Sequence, residues 1–326
     1  MSEVLTPEQV RRRFGKMFAE GLITMVDEAG TRVRIIEKCS ARGPVEWDAV
    51  NRLRAGGAIR RIEIRGCSLV MDAEIGEGEV HFGPVSADTG GQALKAVSVE
   101  DGIVTTSWVG LAGASIGVGA CLPQASGVIE TEYENLSELG GTAEVKVRIK
   151  TPEMRHLIIG LDDTDSDEKG ATWALGLKLA NEMPFGTYIQ HKIIQLNHRA
   201  PHKTTNCTST GVSFAVPPDK IADAVEFSRK FFLDGSYSDQ TAMAIFAGLD
   251  VPKTAVEFGI KAKEKILTEE EATRVAEDAD IQLIEISGPR GKIGALAAIG
   301  CFDLGMKSAG LPEDYDRFQS GNIGIW

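Results

Sequence analysis

The chain has 326 residues, of which 43% are hydrophobic and 25% charged, so it can bury two cores and is too apolar in composition to remain disordered. Its formal net charge of -12 disfavours broad nucleic-acid binding, because phosphate contacts supply most of that affinity. The five cysteines form no CxxC pair and no apolar run approaches the roughly 20 residues that cross a bilayer, so we expect a cytosolic protein without a zinc ribbon or membrane partner.

The first part of the chain predicts an α+β region with a mainly antiparallel sheet. Thr6-Pro7 is a typical helix start, and the helix is expected to run to about Ala19 and to end at Gly21. The apolar residues that follow alternate with polar turns, which is the pattern of β-hairpins. The expected strands lie within residues 22–26, 33–36, 59–71 and 79–82.

Positive charge is concentrated near the N-terminus. Residues 1–66 carry 13 lysines and arginines against 9 acidic residues, a local surplus of +4. Two interpretations remain open: a docking face for an acidic partner, or a solvated helix face with arginines at strand ends.

Residues 110–127 are rich in glycine, alanine and serine. They lack both the dinucleotide-binding spacing and the Lys-Ser/Thr ending of a P-loop, so we expect a closely packed helix rather than a phosphate loop. An edge strand is predicted at residues 144–150 and is expected to break at Thr151-Pro152. We therefore divide the chain into domains 1–152 and 153–326, and assign partner or acceptor binding to the first.

The second domain alternates predicted strands with predicted helices. This pattern indicates an α+β or α/β core with a mixed sheet and helices on its faces. Strands are expected at residues 157–161, 188–196, 211–216, 243–248 and 281–286, and helices at 171–183, 219–232, 255–266 and 268–278, before a glycine-flanked segment at 291–300.

An acidic turn follows the first strand of this domain. Asp162, Asp163 and Asp165 come directly after a continuous apolar run, at the strand end where ligands of open α/β sheets usually bind. Clustered carboxylates repel one another, and Mg²⁺ offsets that cost while phosphates complete its coordination. The turn therefore predicts a magnesium site for phosphoryl transfer, although aspartates also form solvated turns and helix caps.

A second polar segment follows the strand at 188–196. Lys203 and the adjacent Thr204 could hold a phosphate through a point charge and a hydroxyl hydrogen bond. His198 and His202 could be metal ligands or surface residues, but Pro201 between them opposes a shared helix face.

Three motifs in this order resemble one known catalytic region. They are the acidic turn with Thr172, the segment from Leu196-Asn197 to Lys203-Thr204, and residues 293–300. Together they resemble the catalytic region of the archaeal agmatinylcytidine synthetase that modifies an isoleucine tRNA, over residues 157–300. With its different N-terminal part, the whole chain is similar to methanogenesis marker protein family number eleven.

The resemblance implies an ATP-binding, kinase-like core in which Asp162, Asp163 and Asp165 bind ATP phosphates through Mg²⁺ and Lys203 closes over them. Thr172 matches the threonine that becomes phosphorylated in the synthetase, which completes the expected catalytic set. The expected nucleotide-binding residues are Gly160, Thr164, Ser166, Asn197, Lys203, Thr204, Gly291 and Gly294.

Departures from the synthetase pattern bear on the acceptor. Gln195 and Thr205 stand where the synthetase has arginines, and we expect no counterpart of its OB domain and zinc ribbon. The main expectation is an ATP- and Mg²⁺-dependent phosphotransferase-like enzyme of methanogenic archaea with an unidentified acceptor, for which a protein of the methanogenesis machinery is a candidate. The alternatives are a nucleotide-binding maturation factor without turnover and a tRNA-modifying enzyme; the acid surplus disfavours tRNA as a partner.

Overall fold

The computed structural model describes residues 3–82, 90–204 and 206–316. The chain folds into two units, Met1–Met154 and Arg155–Trp326, and each unit encloses buried apolar clusters of its own. Both units combine β-sheet with helices, so the predicted α+β class is confirmed. Within the described residues, no helix is both long enough and apolar enough to cross a membrane.

The N-terminal unit contains two sheets that share its last strand. One sheet has the order β4-β5-β3-β2 and the other β6-β7-β8-β10-β9-β1; β10 joins them where Glu153 and Met154 pair in parallel with β2. The strands are β1 (Glu3–Leu5), β2 (Ala19–Val26), β3 (Arg32–Cys39), β4 (Ile59–Arg65), β5 (Ser68–Glu74), β6 (Gly76–Glu77), β7 (Gly91–Glu100), β8 (Ile103–Leu111), β9 (Glu130–Tyr133) and β10 (Glu144–Asp162), and the helices are α1 (Pro7–Phe14) and α2 (Arg42–Ala55).

Helix α1 begins as predicted and ends earlier. Thr6 and Gln9 form a reciprocal capping box at its start. The helix stops at Phe14 because Gly15 adopts φ 76°, a left-handed conformation that ends the helical hydrogen-bond pattern, and Ala19 already belongs to β2. The prediction of a helix reaching residue 19 is therefore wrong.

Strand β10 is neither an edge strand nor interrupted at its proline. Val147 pairs with Trp108 of β8 on one side and with Tyr133 of β9 on the other. Pro152 still pairs with Ile103, since the fixed φ of proline is compatible with extended backbone even though its N–H is missing. The expected strand break at residues 151–152 is wrong.

The small-residue stretch packs closely but forms no α-helix. It consists of short 3₁₀ turns at Ala112–Ala114 and Leu122–Gln124 around a π-helical turn at Gly117–Cys121. A Cβ atom built on Gly119 would overlap the Leu139 side chain, so the predicted close packing is present while the predicted helix is replaced by turns.

The arginines of the basic N-terminal region pair largely with carboxylates of the same unit. Arg34 and Arg52 are buried in ion pairs, and Arg34 Nε lies 2.6 Å from Asp72 Oδ1. Exposed pairs join Arg12 to Glu8, Arg13 to Glu3 and Arg60 to Glu74. These contacts favour the interpretation of structural and solvated arginines over a docking face.

Within the residues that the structure describes, the C-terminal unit contains a five-stranded sheet covered by helices on both faces. Its strand order is β11-β12-β10-β13-β14, and every neighbouring pair is antiparallel, so its strand–helix alternation produces no parallel crossovers. Beyond residues 155–162 of β10, its strands are β11 (Thr187–Gln195), β12 (Thr208–Val216), β13 (Ala242–Ala247) and β14 (Gln282–Glu285), and its helices are α3 (Thr172–Glu182), α4 (Ile221–Gly235), α5 (Lys253–Glu264), α6 (Glu269–Asp278), α7 (Lys292–Gly300) and α8 (Met306–Ala309).

The end of β10 lies at the centre of this sheet. Leu157, Ile159 and Leu161 pack into the cluster that includes α3 and α4, whereas Ile158 packs into the cluster that includes α5, α6 and α7. Burial on both faces explains why the strand is a continuous apolar run, a pattern shared by central antiparallel strands and parallel ones. A Cβ atom on Gly160 would overlap the carbonyl oxygen of Ala295, so α7 lies directly against the strand at this point.

Candidate functional site

Strand periodicity places Asp162 against the first turn of α7. Side chains of a strand alternate between faces, so Asp162 follows Ile158 and Gly160 on the α7 side. A Cβ atom built on Gly294 would overlap the Asp162 carboxylate, which therefore occupies the space that this glycine leaves. Burial, followed by the negative charges of Asp163 and Asp165, raises the pKa of Asp162 well above its ordinary value.

Asp163 turns the chain away from the strand and forms a bidentate ion pair. Its φ of 60° is a left-handed conformation that aspartate tolerates better than most residues. Arg290 donates from Nε to Oδ2 at 2.7 Å and from Nη2 to Oδ1 at 3.0 Å, and Thr241 Oγ1 donates to the Asp163 carbonyl oxygen at 2.7 Å. Hydrogen bonding to Asp163 raises the pKa of Arg290, so this guanidinium stays charged.

Asp165 joins the acidic turn to the second polar segment. Thr172 Oγ1 donates to Oδ1 and Thr204 Oγ1 donates to Oδ2, each at 2.9 Å. Thr164 Oγ1 in turn donates to Thr172 Oγ1 at 3.0 Å. Thr172 is 4% exposed, so its hydroxyl is held inside the protein as a support for Asp165.

These groups meet at a cleft of about 600 Å³ in the C-terminal unit. Seven of the sequence-predicted residues line it: Asp162, Asp163, Asp165, Asn197, Lys203, Thr204 and Gly294. Leu196 and Ile293, which belong to the sequence motifs, also line it, together with cations and apolar side chains that the sequence did not indicate: Arg290, Lys265, Ile266 and Leu267.

The other predicted residues lie around the cleft rather than on its wall. Gly160 is buried against α7, and Gly291 caps α7 close to the Asp162 backbone. Thr164 and Thr172 are buried behind Asp165. Ser166 belongs to a turn in which its N–H and its hydroxyl both donate to the Lys169 carbonyl oxygen.

Arg290 is the main functional candidate that the sequence reading missed. It lies 127 residues beyond Asp163 in the chain, and only the fold brings the two together. A cation directly before the glycine-flanked helix was the available signal, because helix N-termini and arginines both favour anions.

The three aspartates do not form a preformed three-carboxylate metal site. Across the described ranges, no three His, Cys, Asp or Glu side chains are close enough together to hold a metal ion. Asp163 is engaged by Arg290, which leaves Asp162 and Asp165 as the carboxylates without a bidentate arginine contact. A metal site formed by the three aspartates stays a prediction; Mg²⁺ usually takes only one or two carboxylates with phosphate and water, a number that Asp162 and Asp165 alone could supply.

The histidine pair and the first of the two positions where the synthetase has arginines can be placed in the structure. His198 and His202 are both exposed, which favours surface residues over paired metal ligands. Gln195 Nε2 donates to the carbonyl oxygens of Leu196 and Cys207 and so ties together the two ends of the polar segment. Thr205 lies outside the described residues.

A methyl group at position 294 tests the geometry of this site. Gly294→Ala is expected to displace the Asp162 carboxylate, and if the acidic turn is the ATP site that the sequence predicts, the substitution should lower kcat/KM by roughly 10²-fold, since a shift of about 1 Å can cost that much. The measurement is steady-state phosphate release. Lys292→Ala on the same helix is the control, because its side chain pairs with Glu285 instead. Unchanged turnover in the Gly294 variant would contradict the placement of Asp162 in the site.

Comparison with known proteins associates part of the chain with one domain family. The TiaS TCKD domain family matches residues 158–218. The tRNA 2-agmatinylcytidine synthetase TiaS of Pyrococcus horikoshii is 33% identical over 149 residues, which are 44% of this chain and 35% of the synthetase. The crystal structure of a complex of TiaS with tRNA and ATP is similar with 25% identity and a TM-score of 0.42, over 45% of this chain and 36% of that one. The match thus spans about a third of the synthetases' length.

These relatives correct the expectation that tRNA is disfavoured as a partner. The synthetases that share the matched domain act on a tRNA by name. Net charge misled the sequence reading because it sums the whole chain, whereas phosphate contacts are made by local groups. The cleft, for example, places the cations Lys203, Lys265 and Arg290 beside its carboxylates, an arrangement that the net charge of the chain does not reveal.

A longer similarity covers both units. The uncharacterized protein MJ0921 of Methanocaldococcus jannaschii is 35% identical over 300 residues. The aligned part is 90% of this chain and 97% of that protein, so it includes the N-terminal unit that the synthetase match leaves out. The chain belongs to the family of the uncharacterized protein MJ0921.

Proposed function

We propose that this chain is an ATP- and Mg²⁺-dependent tRNA-modifying enzyme whose C-terminal unit activates the RNA by phosphoryl transfer. One observation carries the proposal. Carboxylates of the acidic turn, Lys203 and Thr204 of the second segment and Arg290 before α7 line a single cleft, although they are distant in sequence. The first two segments lie within the residues matched by the TiaS TCKD domain family.

The charge pattern of the cleft fits a magnesium nucleotide better than a bare anion. Carboxylates alone would repel a polyphosphate and cations alone would bind it without metal, whereas this cleft combines both. Asp162 and Asp165 would hold Mg²⁺, which would neutralise charge on the transferred phosphoryl group. The raised pKa of Asp162 supports this assignment, because its half-buried negative charge at the cleft wall is under-compensated within the protein.

The chain's own cations would bind the phosphates and orient them. The side chain of Arg290 is 33% exposed and its position is fixed by Asp163, so its outer N–H groups can face the cleft. Lys203 is exposed at the cleft wall and would contribute a mobile point charge. The first turn of α7, whose N-terminus favours anions, adds oriented backbone dipoles beside Asp162.

The apolar part of the wall would take the nucleoside. Leu196, Ile266, Leu267 and Ile293 line the same cleft as the charged groups. Ligand clefts of this size usually combine apolar walls with a few placed polar groups, as here. Phosphorylation of Thr172 remains a prediction, because its buried hydroxyl supports Asp165 in this structure.

The proposal of a tRNA acceptor is supported by the relatives rather than by the geometry of the cleft. The synthetases that share the matched domain are tRNA-modifying enzymes by name, and no other acceptor class has comparable support. Membership in methanogenesis marker family number eleven and a cytosolic location both stay predictions from the sequence.

The test uses the full chain with labelled ATP and Mg²⁺, with and without total archaeal tRNA. We expect tRNA to stimulate ATP cleavage, and chelation of Mg²⁺ to abolish it. Lys203→Met is expected to reduce turnover by about 10²-fold or more if the lysine stabilises the transferred phosphoryl group. Products are resolved by thin-layer chromatography of ATP labelled at the α- and γ-phosphates.

Two controls separate the parts of the proposal. Lys178→Met removes an exposed lysine of α3 outside the cleft and should leave turnover unchanged. Absence of any calorimetric heat with ATP and Mg²⁺ would refute the nucleotide site. Cleavage at equal rates with tRNA, ribosomal RNA and no RNA would refute tRNA as the acceptor.

A further inference from the structure

A second cleft, the N-terminal cleft, lies within the N-terminal unit and has a volume of about 950 Å³. It is bordered by residues 16–18 after α1, by the first half of α2, by β7 and by the turns at residues 113–121. None of the proposed ATP-binding residues belongs to it. The cleft is therefore a separate feature that the proposed function leaves unexplained.

The floor of the N-terminal cleft is a buried charged network. Arg52, completely buried, donates from Nη1 to Glu37 Oε2 at 2.5 Å and from Nη2 to Asp48 Oδ2 at 3.0 Å. Gln92 donates to the other oxygen of Asp48, and the guanidinium lies 4.7 Å from the centre of the Trp108 ring. Asp48 and Gln92 are the members of this network that reach the cleft wall.

The network contains one carboxylate more than it has cations. Among the described residues, Glu37 and Asp48 share the single guanidinium of Arg52. The imbalance agrees with the pKa of Asp48, which burial and then the charge of Glu37 raise to about 6 against the lowering effect of Arg52. Near neutral pH, the cleft floor therefore carries a buried negative charge for which a cationic ligand would compensate.

The mouth of the N-terminal cleft is apolar and partly aromatic. Trp47, Phe18 and Ile116 line it and are 47%, 40% and 39% exposed, respectively. Large apolar side chains that cluster around one cleft and remain open to solvent are typical of binding sites. Aromatic faces also attract organic cations. Lys16 at the mouth is exposed, so solvent and salt screen its charge more than the buried charge of Asp48.

The cysteine in this cleft is poorly suited to covalent chemistry. Cys121 is the cysteine that lines it, and it is 4% exposed. Burial raises its pKa to about 11, so the nucleophilic thiolate is scarce near neutral pH. The cleft has the features of a binding site rather than of a thiol active site.

We propose that the N-terminal cleft binds a small organic amine, with its ammonium group on Asp48 and Gln92 and its apolar body against Trp47 and Phe18. The carboxylate oxygens of Asp48 retain lone pairs beyond those used by Arg52 and Gln92, since an ionised carboxylate accepts about four hydrogen bonds. The Gln92 amide oxygen is a second acceptor at the same position.

The test compares three probes of similar shape and different charge: benzylamine, benzyl alcohol and benzoate. Binding to the full chain is measured by isothermal titration calorimetry and by tryptophan fluorescence, with Trp47→Phe assigning the fluorescence signal. We expect benzylamine to bind at least about tenfold more tightly than benzyl alcohol, and benzoate not to bind. In Asp48→Asn, the preference for the amine over the alcohol should disappear while the Glu37–Arg52 pair is kept.

Glu46→Gln is the matched control, because it removes an equal charge from the same helix at an exposed site outside the cleft. It should keep the preference for the amine. Equal affinity for amine and alcohol in the wild type would overturn the proposal. An equal loss of preference in the Glu46 and Asp48 variants would also overturn it, because it would attribute binding to general charge rather than to Asp48.

Discussion

Asp162→Asn is expected to lower kcat/KM for ATP cleavage by about 10²–10³-fold and, in the same protein, to stabilise the C-terminal unit. Under the proposed function, the loss of activity follows because Asp162 would hold the Mg²⁺ that neutralises charge on the transferred phosphoryl group, and loss of one such electrostatic contact costs about 3–4 kcal/mol of transition-state stabilisation. The gain in stability follows because Asp162 is held beside Asp163 and Asp165 in a place where its charged form is disfavoured. A gain of about 0.5–2 kcal/mol is expected, the usual range for a single stabilising substitution.

The pH dependence of this stabilisation has a definite sign. The pKa of Asp162 is raised in the folded state above its unfolded value, so the folded protein binds the proton more tightly. The associated stability is present below the unfolded pKa of about 3.9 and is lost as pH rises through the folded value. Asparagine does not titrate, so the advantage of Asp162→Asn should increase from acidic to alkaline pH.

Amide hydrogen exchange in residues 155–162 and in β12 measures the stability of the C-terminal unit directly. Asp167→Asn is the matched control: it removes an exposed carboxylate from the same turn, outside the cleft, and should change neither activity nor exchange. An Asp162→Asn protein that exchanges faster at pH 8 than the wild type would contradict the assignment of a disfavoured charge.

Arg52→Met is expected to destabilise the N-terminal unit by about 3–5 kcal/mol, the largest effect on stability that we predict. It leaves Glu37 and Asp48 buried without their shared counter-charge, and removal of one partner from a buried ion pair costs about this much. The variant also loses the contact of the guanidinium with the Trp108 ring. Urea unfolding followed by circular dichroism, with hydrogen exchange in β3 and β7 to locate the change, measures the loss.

The control for this prediction lies ten residues earlier on the same helix. Arg42→Met removes an arginine whose pair with Glu46 is exposed, and such pairs contribute about 0.3–0.5 kcal/mol. Adding Glu37→Gln and Asp48→Asn to Arg52→Met should restore part of the stability, because no buried charge then remains unpaired. Equal effects of Arg42→Met and Arg52→Met would show that the buried network makes no special contribution.

The C-terminal site was predictable in part because local pattern and tertiary environment agree there. The apolar run before Asp162 is buried on both faces and stops where carboxylates begin, so the strand end could be located from sequence. The helix after Thr268 was predicted within a residue because its capping box with Glu271 is a local hydrogen-bond pattern. Neither feature depends on distant residues.

The N-terminal unit was less predictable because polar side chains form part of its interior. Helix α2 was missed: Asp48, Asn51 and Arg52 face inwards, so the helix lacks the apolar periodicity that indicates an amphipathic helix. The network that buries them joins α2 to Glu37 and Gln92 on separate strands. No local pattern specifies such pairings.

Arg290 limits how short a fragment can be if it is to retain the cleft of the C-terminal unit. The family match ends at residue 218, yet Arg290 fixes Asp163, and the space beside Asp162 exists only because Gly294 lacks a side chain. A truncated protein that stops after the matched residues would also lack β13, the neighbour of β10 on one side. An excised C-terminal unit should therefore extend through Gly300, where α7 ends, before its nucleotide affinity can be compared with that of the whole chain.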